Sequence, residues 1–495
     1  MIKESASYQK ATTAAAVRWV ALGNGVRTVF ATMQLVVIAS IVSVAEFGII
    51  VLITTILQTI QQLSDGGLST ALIRFRNVTD HQKSSLFWAN FGVGAILTIA
   101  LSFGSKLVAE FFHAPTMIQA LRVAAGTFIL QAAYLQFRVL AERDLNFGRV
   151  VIAECAGAMV SFVVAIVLAT WSYGIMSVVF GQVASCVVQL ILAILLLGKN
   201  WTPLFRFRAS DLRIFIGYSL DMFLAGIAIA ITVQADMIFA GRYFSKIDLG
   251  SYAQPRDLCL KIMLAVLPII TRVGLPLMAK SQSSPISVGK IYLKIVRLTS
   301  TVAFSIYLPL GIVASYLMPL ILGSQWSGAA SLFTPIAIWF SFRSTINPFG
   351  TYLTSLGESR LALIYQSAFA ALILGVSFVL VHYGPFALSL GMIGVYIAFS
   401  QVCWLVLWKR SGITFFAYQS NVIRPALGAI PASSVLWILL YFISPTIIDL
   451  ITTLKVGLVL AVGAVALLIG NIFINKEGIS HAFSMLPSQL RKWVS

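Results

Sequence analysis

Charge is what this sequence has least of. Only 10% of its 495 residues are Asp, Glu, Lys or Arg, and the 16 acids are fewer than half as numerous as the 34 bases. Soluble domains carry roughly 25% charged residues, so a water-facing surface of ordinary extent is excluded. Histidine is also rare: His81, His113, His382 and His481 are scattered without ligand spacing, which leaves no metal site to propose. There is no H-E-x-x-H pattern, no nucleophile elbow and no G-x-x-x-x-G-K-[ST] phosphate loop, so hydrolytic chemistry and direct ATP drive find no support. Cys155, Cys186, Cys259 and Cys403 all fall in apolar stretches without metal-type spacing and read as core residues rather than a disulfide framework. Nothing calls for a cofactor. No polar stretch between apolar runs is long enough for a soluble catalytic or nucleotide-binding domain, and the chain is not expected to be an enzyme.

What the sequence does contain is hydrophobic length. Residues of the AVILMFWYC set make up 59% of the chain, and predominantly apolar stretches of about 20 residues recur, each long enough to cross about 30 Å of hydrocarbon as a helix. No period-2 alternation suggests a barrel. The expected spans are 17–41, 47–71, 84–110, 117–138, 149–170, 174–197, 213–240, 256–279, 294–318, 327–353, 361–381, 386–408, 423–443 and 450–473, about fourteen transmembrane helices in all. The first is too long for a cleavable signal peptide and lacks a small-residue cleavage pattern, so it reads as a retained signal anchor.

Lysine and arginine orient the chain. With the N-terminus cytoplasmic, most bases fall in inward segments, among them Arg74, Arg76, Lys83, Arg138, Arg143, Arg149, Arg206, Arg208 and Lys290. Outward loops hold only Lys106, Arg242, Lys246 and Arg256. Both termini are then cytoplasmic. The formal charge of +18 reflects this asymmetry and the anionic lipid headgroups beside it, and nucleic acid is not an expected partner.

A short echo, SVAEFG at 43–48 against SKIDLG at 245–250, follows the first span of each half. It suggests two six-helix lobes related by pseudo-two-fold symmetry, about residues 1–205 and 206–410, with 411–495 as an additional helix pair and cytoplasmic tail. Parallel repeats of this kind serve alternating-access transporters.

Some charges lie within the spans. An arginine at bilayer depth costs roughly 2.5–3.5 kcal/mol on insertion scales, so it persists only where it faces a cavity, a partner or a ligand. Arg27, Arg272 and Arg343 are such residues. Lys261 and Arg272 stand about 16 Å apart on nearly one face of the eighth span, with Pro268 between them. Arg343 precedes the helix-breaking Asn347-Pro348 by one turn. Thr54, Gln58, Gln61, Gln62, Asp65 and Ser69 recur at helical spacing along the second span, and Gly23, Arg27 and Gln34 form a stripe on the first. These stripes read as walls of an aqueous cleft; hydrogen bonding between helices is the plainer alternative for any one Gln. The acids Asp65, Glu154, Asp221 and Asp236 are candidates for charge pairing or for binding a coupling proton or sodium ion.

The stretches EFGII (46–50), QLSDGGLSTALI (62–73), SLFWAN (85–90) and RDLNFGRVVIAE (143–154) strongly resemble bacterial Wzx-type polysaccharide flippases, especially the colanic-acid-exporter branch. These belong to the superfamily that also holds MATE drug exporters and lipid II flippases. ADMIFAGR (235–242), LGSYAQ (249–254) and Gln325-Trp326 extend the resemblance to about residue 410; it is weakest in the last two spans. The resemblance implies a flippase that carries an undecaprenyl-diphosphate-linked oligosaccharide from the cytoplasmic to the periplasmic leaflet of the bacterial inner membrane. That step serves exopolysaccharide or lipopolysaccharide synthesis, with a polysaccharide polymerase and export proteins as partners. In related lipid II flippases a basic residue of the first helix lines a cationic cavity, and Arg27 is similar in placement. A lipid diphosphate is a bulky anion, and guanidinium groups match its oxygens bidentately. The expected substrate contacts are therefore Arg27, Lys261, Arg272 and Arg343 for the diphosphate, with Gln34, Gln58, Gln61 and Gln62 for the sugars. Arg27 either meets that cargo or pairs with an acid such as Asp65. A lipid II flippase is the nearest alternative. A MATE-like drug antiporter would favour an acidic cavity, and a membrane glycan polymerase would need a long outward loop that is absent here.

Overall fold

The computed structural model describes residues 2–64, 72, 78–144, 146–198, 201–281, 284–441, 463 and 475. Among these residues the regular structure is helical, and nine helical segments are long and apolar enough to cross a membrane. In chain order the helices are α1 (Ile2–Ile41), α2 (Val44–Ser64), α3 (Asp80–Phe111), α4 (Met117–Arg143), α5 (Phe147–Thr170), α6 (Ile175–Leu197), α7 (Arg213–Tyr243) and α8 (Lys246–Lys280). They continue as α9 (Pro285–Leu322), α10 (Ser327–Ile346), α11 (Phe349–Ser355), α12 (Ser359–Leu380), α13 (Gly384–Ser411) and α14 (Phe415–Tyr441). Where they are described, the expected spans from 17–41 to 423–443 fall on these helices; residues 65–71, 442–443 and, apart from Gly463, 450–473 lie outside the described residues. The span 327–353 is split at Asn347-Pro348 into α10 and α11, whereas α8 continues through Pro268. The chain is a multi-pass helical membrane protein, because only helices or closed barrels satisfy every backbone polar group in hydrocarbon.

Two compact units divide at Gly250/Ser251, within the first turns of α8. In the first unit α1 packs on α5, α3 on α4, α5 on α6, α4 on α6 and α2 on α7. Its connections gather at two ends. At one, Ser85 accepts from the Arg208 backbone and donates to Asp211, while Trp88 Nε1 donates to Leu204 O at 2.8 Å. At the other, Arg242 and Lys246 donate to the backbone carbonyls of Phe111 and Phe112, both at 2.6 Å. Each of α3 and α7 therefore runs from one end to the other. In the second unit α9 packs on α10 and α14, and α13 on α10 and α12. Thr334 Oγ1 donates to Gly311 O at 3.1 Å and Ser300 to Thr345 Oγ1 at 3.2 Å, polar stitches that join α9 to α10.

The sequence echo has a local cause. Ser43 Oγ accepts from the Glu46 backbone at 3.3 Å, and the Glu46 carboxylate accepts from the Ser43 backbone at 3.1 Å, a capping box at the start of α2. Ser245 and Asp248 repeat much of it before α8, with Ser245 Oγ accepting from the Asp248 backbone at 3.1 Å and donating to its carboxylate at 2.7 Å. The glycine that ends each motif allows a close approach. A Cβ on Gly48 would lie 2.6 Å from Gly250 N, and one on Gly250 would collide with Val44 O. The two helix starts thus touch backbone to backbone.

Candidate functional site

A cavity of about 320 Å³ opens inside the first unit, and each of α1 to α6 contributes to its lining. Arg27 enters it from α1, Gln61 from α2, Asn90 from α3, Gln131 and Arg138 from α4, Glu154 from α5 and Gln189 from α6. The helices explain this convergence. Gln131, Tyr134, Arg138 and Glu142 follow one another on α4 at spacings of three and four, so they share a face. On α3, Asn90 stands one turn before Gly94, where a Cβ would come within 2.7 Å of Ala132 Cβ and 2.9 Å of Phe128 O. The glycine lets α3 approach α4 closely and sets one wall of the space.

Glu154 organises the charges. Arg27 Nη1 lies 2.6 Å from its Oε2, Arg138 Nε lies 3.5 Å from Oε1, and the Tyr134 hydroxyl donates to Oε1 at 3.4 Å. Arg138 Nε also donates to Glu142 Oε1 at 2.8 Å, and Arg27 Nη2 donates to the carboxamide of Asn24 on its own helix. Two guanidiniums and two carboxylates therefore cancel. The Arg27 side chain is 38% exposed against 10% for Glu154, so the acid is the more enclosed partner.

The other sequence candidates divide as follows. Arg27, Gln61 and Glu154 come together in the cavity. Gln34 accepts from Ser161 at 3.3 Å and Gln58 from Gln234 at 3.3 Å, so both make the interhelical hydrogen bonds weighed as the plainer alternative; Gln62 is exposed. Lys261 pairs with Asp257 one turn away at 2.7 Å. Arg343 is 5% exposed on α10, its guanidinium carbon 5.2 Å from the centre of the Phe340 ring and its Nη1 without a hydrogen-bond partner. Asp236 is buried in α7 at 1% exposure. Asp65 lies outside the described residues, as do the side chains of Asp221 and Arg272. The acid that meets Arg27 is thus Glu154.

Two sequence assignments change. Arg138, counted as an inward-loop cation, belongs to the cavity. Arg256, counted in an outward loop, is buried within α8. Asn90, Gln131, Tyr134 and Gln189 were not singled out as site residues, although the polar stripe on α4 was a usable signal for Gln131, Tyr134 and Arg138. The four cysteines are free thiols, three of them buried.

Comparison with known proteins gives this architecture its relatives. A family model described as "Polysaccharide biosynthesis protein" matches residues 37–331. The chain is 24% identical to the teichuronic acid biosynthesis protein TuaB of Bacillus subtilis, over 83% of this chain and 85% of that one. It is 22% identical to the lipopolysaccharide biosynthesis protein WzxC of Escherichia coli, over 90% and 88%. Among solved structures, a lipid II flippase MurJ in an inward closed conformation aligns with 94% of this chain and all of that one at a TM-score of 0.69 and 12% identity. An inward-facing MATE multidrug transporter aligns with 78% and 94% at 0.62 and 13%. These two likenesses concern the fold. With more than half of its length matched by the family model, the chain belongs to the polysaccharide biosynthesis protein family.

Proposed function

We propose that this protein is a flippase that moves an undecaprenyl-diphosphate-linked oligosaccharide across the bacterial cytoplasmic membrane by alternating access. The observation that carries the reading is the cavity: a polar, charge-paired space walled by six helices of a chain that is otherwise apolar. Buried polar groups on this scale are expensive in a membrane protein and mark a substrate path. Family membership and the exporter fold support the same reading.

In this proposal the rocking bodies are the lobes 1–205 and 206–410, with 411–495 as an added pair. Among the four candidate cations, Arg343 is the best suited to the diphosphate, because Arg27 and Lys261 must first leave Glu154 and Asp257. Arg272 lies on the same helix as Lys261 and is kept as a second contact. Gln34, Gln58, Gln61 and Gln62 are sugar contacts along the path. Glu154 serves charge pairing, and Asp65, Asp221 and Asp236 are the candidates for coupling to a proton or sodium gradient. The basic asymmetry of the loops supports cytoplasmic termini. A polymerase and export proteins act after the translocation step.

The test is a deletion strain. It is expected to accumulate a lipid-linked repeat unit facing the cytoplasm and to lose surface polymer while remaining viable. Accumulation of lipid II with loss of viability would point to the cell-wall precursor instead, and no accumulated lipid of either kind would overturn the flippase reading.

A further inference from the structure

The cavity of the first unit holds polar groups that its ion pairs leave unused. Asn90 is 4% exposed, and neither the nitrogen nor the oxygen of its carboxamide has a hydrogen-bond partner. Gln131 donates to Cys186 Sγ at 3.3 Å and leaves its own Oε1 unpaired. Both residues line the same space. Buried polar atoms without partners are uncommon in native proteins, and each calls for water or a ligand.

The electrostatics narrow what that ligand is. Among the described residues the cluster of Arg27, Arg138, Glu142 and Glu154 carries no net charge. A diphosphate entering here would compete with Glu154 for Arg27, and a cation would compete with the guanidiniums for Glu154. A neutral polyol meets neither obstacle. Each hydroxyl both donates and accepts, so one can donate to Asn90 Oδ1 or Gln131 Oε1 while another accepts from Asn90 Nδ2. Phe128 and Tyr134 stand in the same lining and add apolar surface to it. About 320 Å³ is at the small end of the range for ligand pockets, which suits one ring rather than an oligosaccharide.

We infer that this cavity is a subsite for one neutral sugar ring of the transported unit, with Asn90 and Gln131 reading its hydroxyls and the Arg27–Glu154–Arg138 cluster keeping the diphosphate out. The inference rests on the flippase reading and adds a division of labour to it. One ring is recognised in the α1–α6 cavity, and recognition of the phosphates lies elsewhere. Asn90 closes the SLFWAN stretch at 85–90, which the transport reading otherwise leaves without a role.

The experiment uses two probes on the purified full-length protein: the lipid-linked unit extracted from the deletion strain, and undecaprenyl diphosphate without sugar. Binding of each is titrated by native mass spectrometry to wild type and to the Asn90→Leu/Gln131→Leu double variant. The wild type is expected to prefer the glycosylated probe by about ten-fold, the size of one or two hydrogen bonds to a neutral ligand. The double variant is expected to bind both probes alike, with affinity for the bare carrier unchanged. Should leucine not be accommodated, Asn90→Ser/Gln131→Ser carries the same expectation. A variant that keeps the ten-fold preference would overturn the inference and leave the cavity to water. A parallel loss of bare-carrier binding would overturn it in favour of a diphosphate site. If the deletion strain yields no lipid-linked unit, the flippase reading has failed first, and the subsite falls with it.

Discussion

At the scale of single residues, Arg27 is explained by an acid on another helix. Glu154 is the enclosed member of the pair, and losing Arg27 leaves it with Arg138 at 3.5 Å and the Tyr134 hydroxyl at 3.4 Å. Breaking an enclosed pair costs several kcal/mol; solvent screening of the partly exposed Arg27 reduces this to about 1–2 kcal/mol. Arg27→Ala is therefore expected to lower the thermal midpoint in detergent and to reduce polymer export. Adding Glu154→Gln should restore much of both, because the uncompensated carboxylate is then gone. If Arg27→Ala reduced export and the second change restored stability alone, Arg27 would be a cargo contact. Arg343 is the contrasting case, its guanidinium lying over the Phe340 ring. Arg343→Lys keeps the charge but loses the planar, bidentate donor set, and export should fall about ten-fold at unchanged protein level, roughly the worth of one charge-assisted hydrogen bond.

At the scale of elements, the starts of α2 and α8 make the sharpest predictions. Gly250→Ala places a methyl group against Val44 O, a backbone atom that cannot swing aside, so the two helix starts must separate. The expected cost is about 1–3 kcal/mol, seen as a lower thermal midpoint. Ser43→Ala removes only a cap and should cost about 1 kcal/mol. A Gly250→Ala variant as stable as wild type would show that the contact between the motifs is not tight in the membrane. The SVAEFG and SKIDLG motifs were visible in the sequence as an echo. That they are capping signals could have been read from Ser followed by an acid three residues later. That their glycines meet could not, because nothing local to either motif points to the other.

At the scale of the whole molecule, the loops of the first unit sort into two ends in the order the chain visits them. The end holding Ser85, Leu204 and Asp211 is opposite the end holding Phe111, Arg242 and Lys246. If the basic asymmetry orients the chain as proposed, alkaline phosphatase fused after His113 or Ser172 should be active, and fused after Asp144 or Thr202 inactive. The reverse pattern would invert the topology and with it the direction assigned to transport.

The sequence by itself determined that this is a helical membrane protein and where most of its crossings fall, because run length and backbone hydrogen bonding are local properties. It also marked polar stripes on α1 and α2, since helical periodicity needs no tertiary information. The same periodicity runs along α4 through Gln131, Tyr134 and Arg138, yet counting loop charges drew Arg138 toward an inward loop. Only the tertiary structure decided that Glu154 is the partner of Arg27, that Lys261 is neutralised by Asp257, and that Asn90 and Gln131 face one cavity. An ion pair or a cavity wall depends on which helix faces come together, and in an apolar environment many pairings of helix faces bury hydrophobic surface equally well. The choice among them falls to polar groups and close glycine contacts from segments far apart in the chain.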